Sequence, residues 1–364
     1  MVRPIDLHTL RTSVAAAALI VSAGSADAQR VAPTEDRGQR AAAAIISALD
    51  SFPVVAIGEV HRNQQLHDFL VRLLHDPRCL STGGDRVVEF GNARYQDRVD
   101  RYVAGASIGE HALAQVWRDA VNILVWDAPV YERLISTVRD VNRTRRPERR
   151  LRVVLADPGI DWSLIHDRAT WERIAGTRDR HAADVIEREV LARGRRAILV
   201  FGSGHVQRES AFDRYDVPRR PRTPNLIELL EAEHPGAALL VTADWMHPDL
   251  DARLARWSPP TLLSLRGTSL GQAHSGPAAQ GPSLESLADA FLYLGPTASL
   301  TTSTPAPEIY ADTAYLRELL RRDAIQGGMN AAELHRLAVR FLKATRPSRR
   351  LEAIEIAARP SNDR

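Results

Sequence analysis

The chain has almost no cysteine. Cys79 is the single one among 364 residues, so no intramolecular disulfide can form and the core alone must hold the fold. The same lack removes any thiolate metal site, which needs several cysteines, and leaves Cys79 to be read as a buried, inert thiol. Charge of one sign is also missing. Lys and Arg number 48 against 45 Asp and Glu, a formal net charge of +3. That balance takes nucleic acid and anionic membrane out of the favoured partners. No apolar run is long enough to cross a bilayer. The run from Val14 to Ala23 is too short, follows Arg3 and Arg11, and precedes Ala26-Asp27-Ala28. This order predicts a secretory signal peptide over 1–28, cut after Ala28, and with it an exported, periplasmic, soluble protein. No cysteine stands at the cleavage site, so no lipid anchor is expected.

Familiar loop motifs are lacking too. Gly202-Ser203-Gly204 follows an apolar run, but Gln207 stands where a dinucleotide fingerprint has its third glycine. Gly105-Ala106-Ser107-Ile108-Gly109 spells a nucleophile elbow after a helical segment instead of a strand. Gly267-Thr268-Ser269-Leu270-Gly271 has Asp289 and His335 downstream, but a loop rich in Gly, Ala and Pro replaces the helix such an elbow needs.

Short apolar runs ending in polar residues are what the chain does have. Val54 to Gly58 is β-branched and apolar, and Glu59-Val60-His61 follows it. Such a run reads as a buried strand of a parallel sheet. Further strands are predicted at Arg86–Phe90, Leu151–Ala156, Arg196–Phe201 and Ala237–Thr242. Apolar spacing predicts helices over Gln64–His75, Ala128–Asn142, Arg168–Arg193 and Asn225–Glu233. The alternation predicts an α/β fold, a mostly parallel central sheet with helices on both faces. Thr261–Leu265 and Ala290–Leu294 read as extra C-terminal strands with an antiparallel edge, and Thr313–Ala324 and Ala331–Ala344 as closing helices. With no repeat and no clear linker, one domain is expected over 29–346, with a loose tail over 347–364.

In such a sheet ligands bind outside the carboxyl ends of the strands. Glu59, His61, Glu89, Asp157, His205, Asp244 and His247 all fall there, with Gly58, Gly202 and Gly204 allowing close backbone approach. Converging carboxylates and imidazoles can do general acid–base chemistry. They can also hold a divalent metal, for which Glu59, His61 and His205 are the candidate ligands.

These motifs carry a resemblance. Gly58-Glu59-Val60-His61 with His67, Val87-Val88-Glu89-Phe90 with Gln96, Asp100 and Tyr102, Trp126 with Tyr131, Val153 to Pro158, and Phe201-Gly202-Ser203-Gly204-His205-Val206 together resemble the ChaN-like proteins of the Tiki superfamily. The likeness covers roughly Phe52 to Val206. The wider group is similar to erythromycin-esterase-like hydrolases and Tiki-type metalloproteases, which implies an α/β fold and a Glu/His cleft. By resemblance Glu59, His61, Glu89 and His205 are the active-site residues of a hydrolase of ester or peptide bonds. ChaN-like relatives imply the alternative, haem or metal binding linked to iron uptake, without turnover. Haem needs an axial ligand, and His67, Tyr95, Met246 and His247 are the candidates. The expected partner is therefore a small molecule, a peptide or haem.

Overall fold

The computed structural model describes residues 34–82, 84–208, 223–243, 248–274, 281–305, 309–310, 312–328, 332 and 334–336. The expected signal peptide and tail, Asp244, Met246, His247 and most of the expected helix over 331–344 lie outside them. Seven strands form one sheet: β1 (Val54–Glu59), β2 (Asp85–Asn92), β3 (Val153–Asp157), β4 (Ala197–Gly202), β5 (Ala238–Thr242), β6 (Thr261–Ser264) and β7 (Ala290–Tyr293). Their order is β3-β2-β4-β1-β5-β7-β6. Every pairing is parallel except β6 with β7, the expected antiparallel edge.

Both faces of the sheet are covered, which is why its strands read as unbroken apolar runs. Side chains alternate across a strand. Val55 and Ile57 of β1 share one core with α1 (Thr34–Ser51), α2 (Gln64–His75) and α3 (Pro129–Asn142). Val54 and Ala56 share the opposite core with α4 (Arg178–Ile186) and α5 (Leu226–Glu233). Helix α2 spans the residues its spacing predicts. Asn63 caps it, its Oδ1 accepting from the Leu66 amide at 3.0 Å. It buries Leu66, Phe69, Leu70, Leu73 and Leu74, each worth about 1.5–3 kcal/mol of transfer free energy. Cys79 is buried as expected, and its Sγ accepts from Arg86 Nη2 at 3.2 Å.

One difference from the sequence reading matters. The long charged segment from Arg168 divides into helices over Arg168–Ala175 and Arg178–Ile186, followed by a wider turn over Glu187–Leu191. The expected closing helix from Thr313 runs over Thr313–Gln326, here α6, and packs with Val121, Ile123 and Trp162 in a third apolar cluster beyond the end of β3. Among the described residues no helix is long and apolar enough to cross a membrane.

Candidate active site

The chain leaves β1 toward β2 on one side, and leaves β4 toward β5 on the other, although β1 and β4 are neighbours. Such a reversal opens a crevice at the carboxyl ends of the strands. Six expected residues meet there: Glu59, His61, Glu89, Asp157, Gly202 and His205.

Glu59, the last residue of β1, turns its side chain into the α2–α3 layer and is fully shielded from solvent. Three groups donate to it: His61 Nδ1 to Oε1 at 2.9 Å, His67 Nε2 to Oε2 at 2.9 Å, and the Tyr131 hydroxyl to Oε1 at 3.3 Å. Burial pushes this carboxyl up, but the hydrogen bonds from His61 and His67 and their charges bring it below its ordinary value. An ionised carboxylate can only accept, so both imidazoles carry a proton toward it. His61 therefore has Nε2 turned away from Glu59, and its side chain is 32% exposed. The ring stands edge-on to Trp126 at 4.6 Å. Burial lowers the His61 pKa, yet the bond to Glu59 and the charges of Glu89 and Glu59 outweigh it and leave it raised.

Glu89, on β2, accepts from the Gly202 amide at 2.6 Å and from Arg178 Nη2 at 2.7 Å. Arg178 Nε also donates to Asp157 at 2.7 Å, and Asp157 takes the Val121 amide at 2.6 Å. Burial raises Glu89, but the charges of His205 and Arg178 hold it well below the usual carboxylate range. Asp157 is raised, because burial outweighs Arg178 there. His205 has Nδ1 on Asp179 at 2.6 Å and Nε2 at 3.4 Å from Glu89. Burial opposes its charge, but Glu89 and Asp179 push its pKa up to about 10. Both carboxylates favour its charged form, and its side chain is 21% exposed.

The glycines act by absence of volume. A Cβ on Gly202 would sit 2.8 Å from His61 Cε1 and 3.3 Å from Glu89 Oε2. Gly202→Ala is therefore expected to displace the His61 ring and lower turnover about a hundredfold with the fold retained. Rate measured beside a circular-dichroism melt checks this, and an alanine variant with unchanged rate would sink it. On Gly58 the same Cβ would press on Ser203 and Val206 at 3.1–3.2 Å. Gly204 lies in the single turn Ser203–Val206, and its carbonyl accepts from Asn225.

Some expectations change. Glu59 and Glu89 are buried under the histidines, so they orient and charge them and do not face a substrate. Glu59 has both oxygens engaged by His61, His67 and Tyr131, and His205 has Nδ1 on Asp179 and Nε2 3.4 Å from Glu89. Among the described residues no group of three or more His, Cys, Asp or Glu is arranged to hold a metal ion. Of the haem-ligand candidates only His67 and Tyr95 are among the described residues, and these two do not converge. His67 is fully buried beneath β1 on Glu59. Tyr95 donates to Asp119 at 2.8 Å and lines a separate cleft of about 480 Å³ with Trp162 and Arg322.

Arg178 and Asp179 do not stand out in the sequence, because they lie in a heavily charged helical segment. Their signal is positional. Arg178 stands four, seven and eight residues before Ala182, Val185 and Ile186, the buried stripe of α4, so it belongs to the face turned to the sheet.

No family model and no curated protein matches the chain. Among solved structures it is similar to the type III effector HopBA1, at 12% identity and a TM-score of 0.37, over 69% of this chain and 92% of that one. It is similar to a Bacillus cereus protein at 10% identity and a TM-score of 0.43, over 76% and 100%. The third, at 11% and 0.37, is the C-terminal region of the Pasteurella multocida toxin, described as having a thiol-protease-like catalytic triad, over 58% of this chain and 26% of that one. These likenesses are distant and assign no activity.

Proposed function

We propose that the protein is an exported hydrolase of ester or peptide bonds, related to the ChaN-like and Tiki group, in which His61 is the general base. The supporting observation is the Glu59–His61 pair. A buried carboxylate fixes the ring through Nδ1 and leaves Nε2 directed to the partly open crevice. A base held this way is oriented and kept in one tautomer. His61 Nε2 takes a proton from water, the water oxygen bonds to the carbonyl carbon, and the same proton passes to the leaving oxygen or nitrogen as the scissile bond breaks. His205 keeps its positive charge through neutral pH and, with Arg178, offsets the negative charge of Glu89 and of the developing oxyanion.

The test is turnover of 4-nitrophenyl esters and fluorescent casein, with and without added divalent metal, by the wild type and His61→Ala. A loss of about 10²–10⁴-fold is expected, and equal rates would remove His61 from the mechanism. The pH dependence has a definite sign. His61 must be neutral to act, and its pKa is raised above 6.5. The rate therefore rises with pH along a limb centred on the alkaline side of 6.5.

A further inference from the structure

The segments after residue 298 touch the site at two places, and neither contact is explained by the hydrolytic reading. The first is the loop that follows His61. Arg62 is in the left-handed region at φ 69°, an uncommon backbone for a side chain of its size. The Asn63 amide closes the turn on the Val60 carbonyl at 3.1 Å and the Arg62 amide donates to the Tyr131 hydroxyl at 2.8 Å, and a short antiparallel pairing adds to them from outside. The Ser303 amide donates to the Arg62 carbonyl at 2.7 Å, and the Gln64 amide donates to the Thr301 carbonyl at 2.9 Å. Asn63 and Thr302 form the bridge between them. The Gln65 side chain closes the pairing, accepting from the Thr301 amide at 2.9 Å and donating to the Thr301 hydroxyl at 3.0 Å.

The second place is the wall behind the imidazole. Trp126 meets the His61 ring, yet its own Nε1 is buried with no hydrogen-bond partner. Nothing polar on Trp126 itself fixes it among the described residues. Its neighbour Asp127 is held instead. Tyr315 donates to Asp127 at 3.0 Å, Tyr310 at 3.3 Å, and Arg118 lies 3.5 Å away. Tyr315 lies in the first turn of α6, and Tyr310 precedes the helix.

We propose that Ser299–Ser303 and the Tyr310–Tyr315 pair form a clamp that positions His61, gripping its following loop on one side and the Trp126–Asp127 wall on the other. The clamp residues are positioning residues. They touch neither the reacting atoms nor the imidazole, and they act through Arg62–Gln65 and Trp126. The catalytic consequence rests on the hydrolytic reading, whereas the placement of the His61 ring does not.

The experiment therefore reads both. Two variants are made in the full chain: Tyr310→Phe with Tyr315→Phe, which removes two hydroxyls from one arm, and Gln65→Ala, which loosens the other at a half-buried position. The His61 imidazole is titrated by NMR, with His61→Ala identifying its signal. The groups facing it are Glu59 from β1, Glu89 from β2 and Arg178 from α4. A ring released from Glu59 titrates closer to 6.5, so the midpoint falls in both variants. On a substrate the wild type turns over, kcat drops about 10–100-fold with KM little changed. An unmoved His61 titration in both variants, even with a lowered melting temperature, would reduce the segment to a structural support and overturn the clamp. If His61→Ala keeps full turnover while the titration moves in the clamp variants, the hydrolytic reading falls and the clamp stands.

Discussion

Under the proposed hydrolytic mechanism, Glu59→Gln is expected to lower kcat about a thousandfold while leaving the chain folded. The carboxylate has no exposed surface and cannot meet a substrate. What it supplies is a charged acceptor for His61 Nδ1. An amide is nearly the same shape and can still accept from one imidazole, so packing against α2 and α3 is preserved. It carries no charge, however, and its NH₂ group can only donate, so His61 loses its fixed tautomer. The pH profile then gives a second, independent readout. The bond to Glu59 and the Glu59 charge both raise the His61 pKa against the effect of burial. Their removal moves the rising limb of the rate to lower pH. Steady-state rates from acid to alkaline pH, with a thermal melt of each protein, check both effects. A kcat within about threefold of wild type, on an unmoved limb, would leave Glu59 as a packing residue only.

Arg178→Met is expected to have the largest effect on stability. One guanidinium, nearly enclosed, bridges Glu89 and Asp157 at 2.7 Å each. Methionine fills the space but strands two carboxylates away from water. Breaking a buried pair by removing one partner costs about 3–5 kcal/mol, because the other charge remains unpaired. Urea unfolding at neutral pH measures it, and a loss under about 1 kcal/mol, the value of a surface pair, would contradict the enclosure described here. The sign with pH follows from Glu89. Its pKa in the folded protein lies well below the ordinary 4.5. The stability it gives the wild type is present above 4.5 and is lost as pH falls through the depressed folded value. In the variant Glu89 protonates more readily, so the gap between the two proteins narrows on acidification.

How much of this was readable beforehand depends on the kind of residue. The strands were readable because a doubly covered parallel strand must be apolar throughout, as Val54–Ile57 and Ile198–Phe201 are. The strand-end acids and histidines followed, because those runs end where the crevice must lie. Which of them face the crevice was not readable. Glu59 and His61 are two residues apart, yet one is buried and the other open, because Glu59 is still in the strand and His61 has entered the turn at Arg62. His67 looked like a ligand because spacing cannot show that Glu59 already occupies its Nε2. Arg178 was hidden by its neighbours' charge, although its place on the buried stripe of α4 marked it. Asp127 stands more than 180 residues before both Tyr310 and Tyr315, and no local pattern links it to them.

The strand order also bears on how the chain acquires its shape. The central strand, β1, has no strand neighbour close in sequence. Its partners are β4, beginning at Ala197, and β5, beginning at Ala238. While β2 and β3 can pair with each other early, the run Val54–Glu59 must wait with both edges open until more than a hundred further residues have been made. Closing so long a loop is entropically costly and slow, and an unpaired apolar strand is a template for association with other chains. The same placement that assembles Glu59, His61 and Gly202 into one crevice thus leaves the apolar run of β1 in need of protection in the nascent chain, and ties the appearance of the site to the arrival of β4.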